Sequence, residues 1–274
     1  MRFQLVFFVI SFVTNSAWQI QDMKQCAKSH ENSVETGRNY FVFQQRFAVK
    51  SRRVYAQELS FQPNSAYKKE SIHGFSVWIA QDVLEHKQKA KEMLKELDWQ
   101  LLRITRVVPP KPLSALQKVR IWVEWEKQNG AAEFHASAEW LRHNGYNPDK
   151  AGCVEVSNTR NFVNWSRSDQ PWIILHELAH AYHFLILGNL YPGIEAAYQH
   201  AVDSRLYKSV DYIKGGKRKA YALTNAKEYF AELSEGYFGK NDFYPFTRTQ
   251  LKKYDPVGYQ LMEKTWGKPN NSSV

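Results

Sequence analysis

The sequence predicts an α+β domain, with a small mixed sheet, a buried helix after it and a mainly helical C-terminal part. Three observations predict it. Short runs rich in β-branched and aromatic residues, FSVWIA, KVRIWVEW and CVEVSN, all precede residue 159. The stretch WIILHELAHAYHFLILGN, residues 172–189, is apolar apart from three histidines and one glutamate, and it spaces as a helix. Beyond it further helical stretches follow, among them TNAKEYFAELSEGYFG at 224–239.

Taken in order, the chain opens with Arg2, the apolar run FQLVFFVISFV and the small-residue stretch TNSA. That layout predicts a secretory signal peptide over residues 1–17 with cleavage expected after Ala17, the alternatives being an N-terminal anchor or a buried first strand. The apolar run is shorter than the ~20 residues a membrane span needs, and no later stretch is long and apolar enough to supply one. A secreted, extracellular chain with no membrane span after signal removal is expected. Residues 18–70 form an N-terminal segment of unassigned role. Within it RNYFVFQQRFAVK has strand character and SFQPNSAYKKES reads as a linker. The main domain is expected over residues 71–268, with a polar tail at 269–274.

FSVWIA opens that domain as a strand. A long amphipathic helix follows, with Leu84, Ala90, Leu94, Leu97 and Leu101 on its apolar side. Pro109, Pro110 and Pro112 end it. KVRIWVEW places Val119, Ile121, Val123 and Trp125 on one face, the pattern of a half-buried strand. AAEFHASAEWLRHNGYNPDKAG reads as loop and short helix, and CVEVSN as a second short strand. The helix of 172–189 comes next, and Gly188-Asn189 supplies its stop.

A hydrophobic fraction of 43% allows a sizeable core, and a charged fraction of 23% excludes a disordered composition. The formal charge is +10, so anionic glycans are a candidate partner. The densest basic run, KGGKRK at 214–219, holds two glycines and no aromatic residue. It reads as a mobile loop, and no nucleic-acid partner is expected, because no motif for one accompanies it. Cys26 and Cys153 are a candidate disulfide in an exported chain. Asn164, Asn270 and Asn271 fit the N-glycosylation pattern.

The apolar helix carries the chemistry. His176, Glu177 and His180 form H-E-x-x-H. At about 100° per residue, positions 176 and 180 lie on one face a turn apart, so two imidazoles can bind one zinc ion. Glu177 is rotated beside the metal, where it can take a proton from an activated water. One Zn2+ per chain is expected. The third ligand is open on this pattern alone. His183 lies about 10 Å along the axis from His176, so a supporting or packing role suits it better. The metzincin extension is absent, since His183 and Ile186 occupy its glycine and last histidine positions. TNAKEYFAELSEGYFG offers Glu228, Glu232 and Glu235 on one helical face. Glu228 is the preferred ligand, and Glu232 a partner to a zinc-binding histidine. Glu228 also sits where a capping box with Asn225 would use it. His135 reads as a core or surface histidine before a site residue.

HELAHAYH followed by YALTNAKEYFAELSEGYFG resembles the gluzincin metallopeptidases, and more narrowly the catalytic domain of the anthrax lethal factor family. The resemblance covers residues 172–239 and extends weakly upstream to CVEVSN. It implies a zincin-like metallopeptidase domain. It also implies His176, His180 and Glu228 as zinc ligands, Glu177 as general base and Tyr221 as a phenol donor to the oxyanion. The expected function is a secreted zinc-dependent endopeptidase, its peptide or protein substrate lying as an extended strand beside CVEVSN. Toxin delivery modules are not implied, since nothing in residues 18–70 matches them. Rival readings are a catalytically silent zinc-fold protein, a basic glycan- or matrix-binding protein, and a zinc hydrolase of non-peptide amides.

Overall fold

The computed structural model describes residues 61–270. The expectations for the signal peptide, for segment 18–60 with Cys26, and for residues 271–274 lie outside them. Among the described residues no helix is long and apolar enough to cross a membrane.

Strands β1 (Tyr67–Ile72) and β2 (Phe75–Ala80) form an antiparallel hairpin. Its two turn residues, His73 and Gly74, have φ of 50° and 85°, which suits the right-handed twist of the flanking strands. Gly74 is needed twice over, since a Cβ there would fall 2.5 Å from Gln117 Nε2. The expected linker is therefore partly strand, and the expected boundary at residue 71 falls inside β1. The reason is physical: β1 is an edge strand, and edge strands carry exposed lysines such as Lys68 and Lys69.

From β2 the chain runs through helix α1 (Lys87–Val107) to β3 (Ile121–Val123), which is parallel to β2. Strand β4 (Glu133–Phe134) lies within the segment expected to be loop, and β5 (Val154–Val156) follows. The sheet order is β1-β2-β3-β5-β4, with β5 parallel to β3 and β4 antiparallel at the far edge. The mixed sheet of the sequence reading is present. Val77, Ile79, Ile121, Val123, Val154 and Val156 share one face and one core with Met93, Leu97 and Leu101 of α1.

Strand β3 is buried on both faces, against the expectation of half-burial. Trp122, on the second face, meets Tyr67 edge-on at 4.7 Å and Trp78 at 4.6 Å. Beside it Lys150 places its ammonium 2.5 Å from Glu124 and 2.7 Å from Glu155, both buried. Tyr67 donates to Glu124 at 2.5 Å, and Glu155 meets His135 at 2.5 Å. The turn at Pro148–Lys150 brings Lys150 over this face. Strand alternation alone assigns Glu124 and Glu155 to solvent.

Helix α2 (Thr159–Ser168) starts on Asn158, whose side chain accepts from the Asn161 N–H. Helix α3 (Ile173–Tyr182) continues as a π-helical stretch, His183–Gly188, ending where Gly188 turns to φ 93°. Helices α4 (Pro192–Asp203), α5 (Ala226–Phe238), α6 (Arg248–Tyr254) and α7 (Pro256–Trp266) complete the fold. Helix α7 backs α5: Trp266 Nε1 donates to Ser234 Oγ at 3.0 Å. Buried Asp255 accepts from Tyr207 and Tyr229 at 2.9 and 2.5 Å. The basic run is not a plain loop. Lys217–Arg218 pairs with Val210–Asp211, and Lys214 pairs with Asp169.

Candidate metal centre

Helix α3 is buried on nearly every side because it runs through the core, so its polar residues must be satisfied by protein groups or a ligand. His176 and His180 stand a turn apart with ring centroids 4.9 Å from each other. Helix α5 packs against α3 and supplies the facing carboxylates. Asn225 caps it by accepting from the N–H groups of Lys227 and Glu228. The Glu228 side chain leaves the cap and reaches across to α3. Its Oε2 lies 3.1 Å from His176 Nε2 and 3.2 Å from His180 Nε2.

The electrostatics follow from that convergence. Burial opposes the charge of Glu228, but hydrogen bonds from His176 and His180 outweigh it and hold the carboxyl well below the usual carboxylate range. Burial also opposes charge on His176, yet bonds to Glu228 and Glu235 raise its pKa well above the ordinary value. For His180 burial wins over Glu228 and the pKa is lowered.

Behind His176 lies a second carboxyl group that the sequence reading left without a role. Glu235 Oε1 is 2.8 Å from His176 Nδ1 and also accepts from Gln170 Nε2 at 3.0 Å. With Nδ1–H donated to Glu235, Nε2 would be the nitrogen open to a metal, which would replace the proton it shares with Glu228. Glu232, the expected partner, is 3.6 Å from the same nitrogen, so the hydrogen bond is Glu235's. The signal was visible in the glutamate spacing of α5, but which carboxylate meets Nδ1 depends on how α5 is rotated against α3. Asp242 joins this group with no sequence signal. Burial and the neighbouring carboxyls push Glu232 well above the usual range and Asp242 up to about 8.

Glu177 is buried beside the cluster. Burial raises its pKa to about 8, with Glu228 and Glu133 adding to the shift, while His176 and the backbone N–H of Phe134 oppose it. Tyr221 sits in the short turn before Asn225 and is half-exposed, its ring centroid 6.3 Å from that of His176. Burial and Glu228 raise its phenol to about 12, so it stays a donor at neutral pH.

His183 is not brought into the cluster. It packs on Phe230 at 5.6 Å and bonds the Asn189 backbone. Burial lowers its pKa to about 4, with His180 next in effect, so it is a neutral core residue. His135 is also buried, on Glu155. The expected substrate strand needs correction too. Strand β5 pairs with β3 on one side and β4 on the other, so it has no free edge. On this side of the sheet the edge strand is β4. Ala131 O and both backbone groups of His135 bond to the β5 side, which directs Ala132 and Phe134 outward. Phe134 lies there beside Glu177.

Among the described residues, three sets of side chains have donor atoms within 4.8 Å of one another. Glu133, His135 and Glu155 form one, but the Lys150 ammonium already sits on Glu155. His176, Glu232 and Glu235 form another, which would need the Nδ1 proton of His176 removed. His176, His180 and Glu228 remain. Two nitrogens at 3.1 and 3.2 Å from one oxygen approach the separation of about 3.3 Å between ligands on a tetrahedral zinc. The donor set, two imidazoles and a carboxylate, fits that metal.

Compared with known proteins, the chain matches no family model, no curated protein and no solved structure.

Proposed function

We propose that this protein is a zinc-dependent peptidase of gluzincin type, with a zincin-like fold, working outside the cell. The carrying observation is the convergence of His176 Nε2 and His180 Nε2 on Glu228 Oε2, with Glu177 buried one position along the same helix. Zinc, when bound, supplies Lewis acidity to the water and the carbonyl beside it.

The chain's own residues do the rest. His176, His180 and Glu228 hold the metal, and Glu235 fixes the ring of His176. Glu177 takes a proton from the attacking water at its carboxylate and returns it to the leaving amine nitrogen. Tyr221 donates its O–H to the oxygen on which negative charge develops. An extended peptide adds to the outward edge of β4, main chain to main chain, with Glu177 next to Phe134 at that edge. A structural zinc site has no use for Glu177, which weighs against a silent metal-binding protein.

Elemental analysis of the purified mature protein and its variants tests the reading, together with hydrolysis of a peptide library. The wild type is expected to carry about one zinc, as one such donor set implies. Glu177→Gln should keep the metal and lose about 10²- to 10⁴-fold in rate. Glu228→Gln should lose the metal. A folded wild type that takes up no zinc overturns the proposal, and so does a Glu177→Gln variant with undiminished hydrolysis.

A further inference from the structure

We propose a second ligand site, an oxyanion pocket, where α1, the start of α3, the end of α5 and the start of α6 meet. A cavity of about 420 Å³ opens there, a size that takes one small organic ligand. Three cations line it, Arg103, Lys240 and Arg248, and no carboxylate does. Trp172 and Tyr237 border it with almost no exposed surface, and Asn270 adds an amide.

The cations are under-compensated. Arg103 donates to Pro171 O at 2.7 Å and lies over the Trp172 ring at 4.4 Å, but its buried Nε–H has no partner. Burial lowers its pKa, against the pull of Glu96. Among the described residues Lys240 and Arg248 make no ion pair and no side-chain hydrogen bond. Glu96 and Glu263 act on Arg103 and Tyr237, yet neither lines the cavity. Three like charges around one concavity favour an anion, and a guanidinium can meet two of its oxygens at once.

The cavity is larger than a bare anion needs. The ligand class is therefore a phosphate or sulfate ester, with the oxyanion among the cations and the esterified group filling the rest of the cavity. Such a ligand can be a small aryl phosphate or the sulfated end of a sugar. The two share the oxyanion and differ in the esterified group. This inference stands apart from the peptidase reading, since none of these residues belongs to the metal centre.

Titration of the full mature protein, followed by tryptophan fluorescence, tests it. The probes are inorganic phosphate, phenyl phosphate and a sulfated disaccharide. Phenyl phosphate is expected to bind saturably and about tenfold more tightly than inorganic phosphate, from the buried ring. A sulfated disaccharide that outcompetes it assigns the esterified group to a sugar. Lys240 and Arg248 are exposed, so Lys240→Gln and Arg248→Gln should fold normally. Together they should weaken binding at least about tenfold, as loss of two charge-assisted contacts implies. Lys91→Gln, on an exposed turn of α1 far from the cavity, should leave it unchanged. No saturable binding of either ester overturns the proposal, as does equal weakening by Lys91→Gln.

Discussion

The His176 imidazole is engaged at both nitrogens, by Glu235 at Nδ1 and by Glu228 at Nε2. A ring held at one nitrogen points the other in a fixed direction, which is how a supporting carboxylate tunes a metal ligand. Glu235→Leu removes that acceptor in a fully buried place. Its zinc affinity is expected to fall about 10- to 100-fold, read by competition with a chromophoric chelator. Glu232→Gln, 3.6 Å away, should fall by much less. Equal losses in the two variants would assign the role to the whole carboxyl group and not to Glu235. The pairing of His176 with His180 was legible in the sequence because helical spacing puts them on one face, whereas Glu228 was one of three glutamates on a later helical face and was preferred with the help of the family resemblance. Glu235's role and Asp242 were not, because they depend on contacts between segments far apart in sequence.

Between elements, the contact of α3 with α5 decides the site, and one glycine shows how close the two run. A Cβ on Gly239, just past the end of α5, would fall 1.9 Å from Trp172, the residue before α3. Gly239→Ala forces that indole out of place. A loss of about 1–3 kcal/mol is expected, the usual range for overpacking, measured by urea denaturation. A variant as stable as the wild type would mean that the Trp172 end of α3 moves freely. Strand β4 makes a second prediction at this scale. Ala132 lies on the outward edge, so Ala132→Pro removes an edge donor without breaking the ladder to β5. Peptide KM should rise while zinc content stays constant. The sequence reading missed β4 because two strand residues in a loop-like segment carry no period. It missed β1 because edge lysines mask alternation.

Across the molecule, the sheet separates two chemistries. Its helix-facing side is apolar. The other side buries Lys150 between Glu124 and Glu155. Lys150→Met leaves two buried carboxylates without their cation, and a loss of about 3–5 kcal/mol at pH 7 is expected. The pH dependence has a definite sign. Burial opposes the charge of Glu155, but His135 and Lys150 outweigh it and hold its pKa below the ordinary 4.5. A depressed carboxylate contributes stability that is complete above its ordinary pKa and is lost as pH falls through the folded value. The gap between wild type and Lys150→Met in thermal unfolding should therefore shrink on acidification below about pH 4, near the ordinary carboxylate range. A gap that stays constant would show that Lys150 acts through packing of its stem on Trp122 and not through its charge.

What the sequence determined by itself was local. It set helical periodicity around residues 87–107 and 172–189, the strands at FSVWIA, KVRIWVEW and CVEVSN, and the spacing of His176, Glu177 and His180. Those follow from backbone geometry, which repeats over a few residues and needs no partner segment. Only the tertiary structure decided which strand forms the edge beyond β5, which glutamate meets His176 Nδ1, that His183 turns into the core, and that three cations share one cavity. Each of these depends on how two rigid elements are rotated and offset against one another. That choice is set by side-chain packing across the whole core, and no local pattern encodes it.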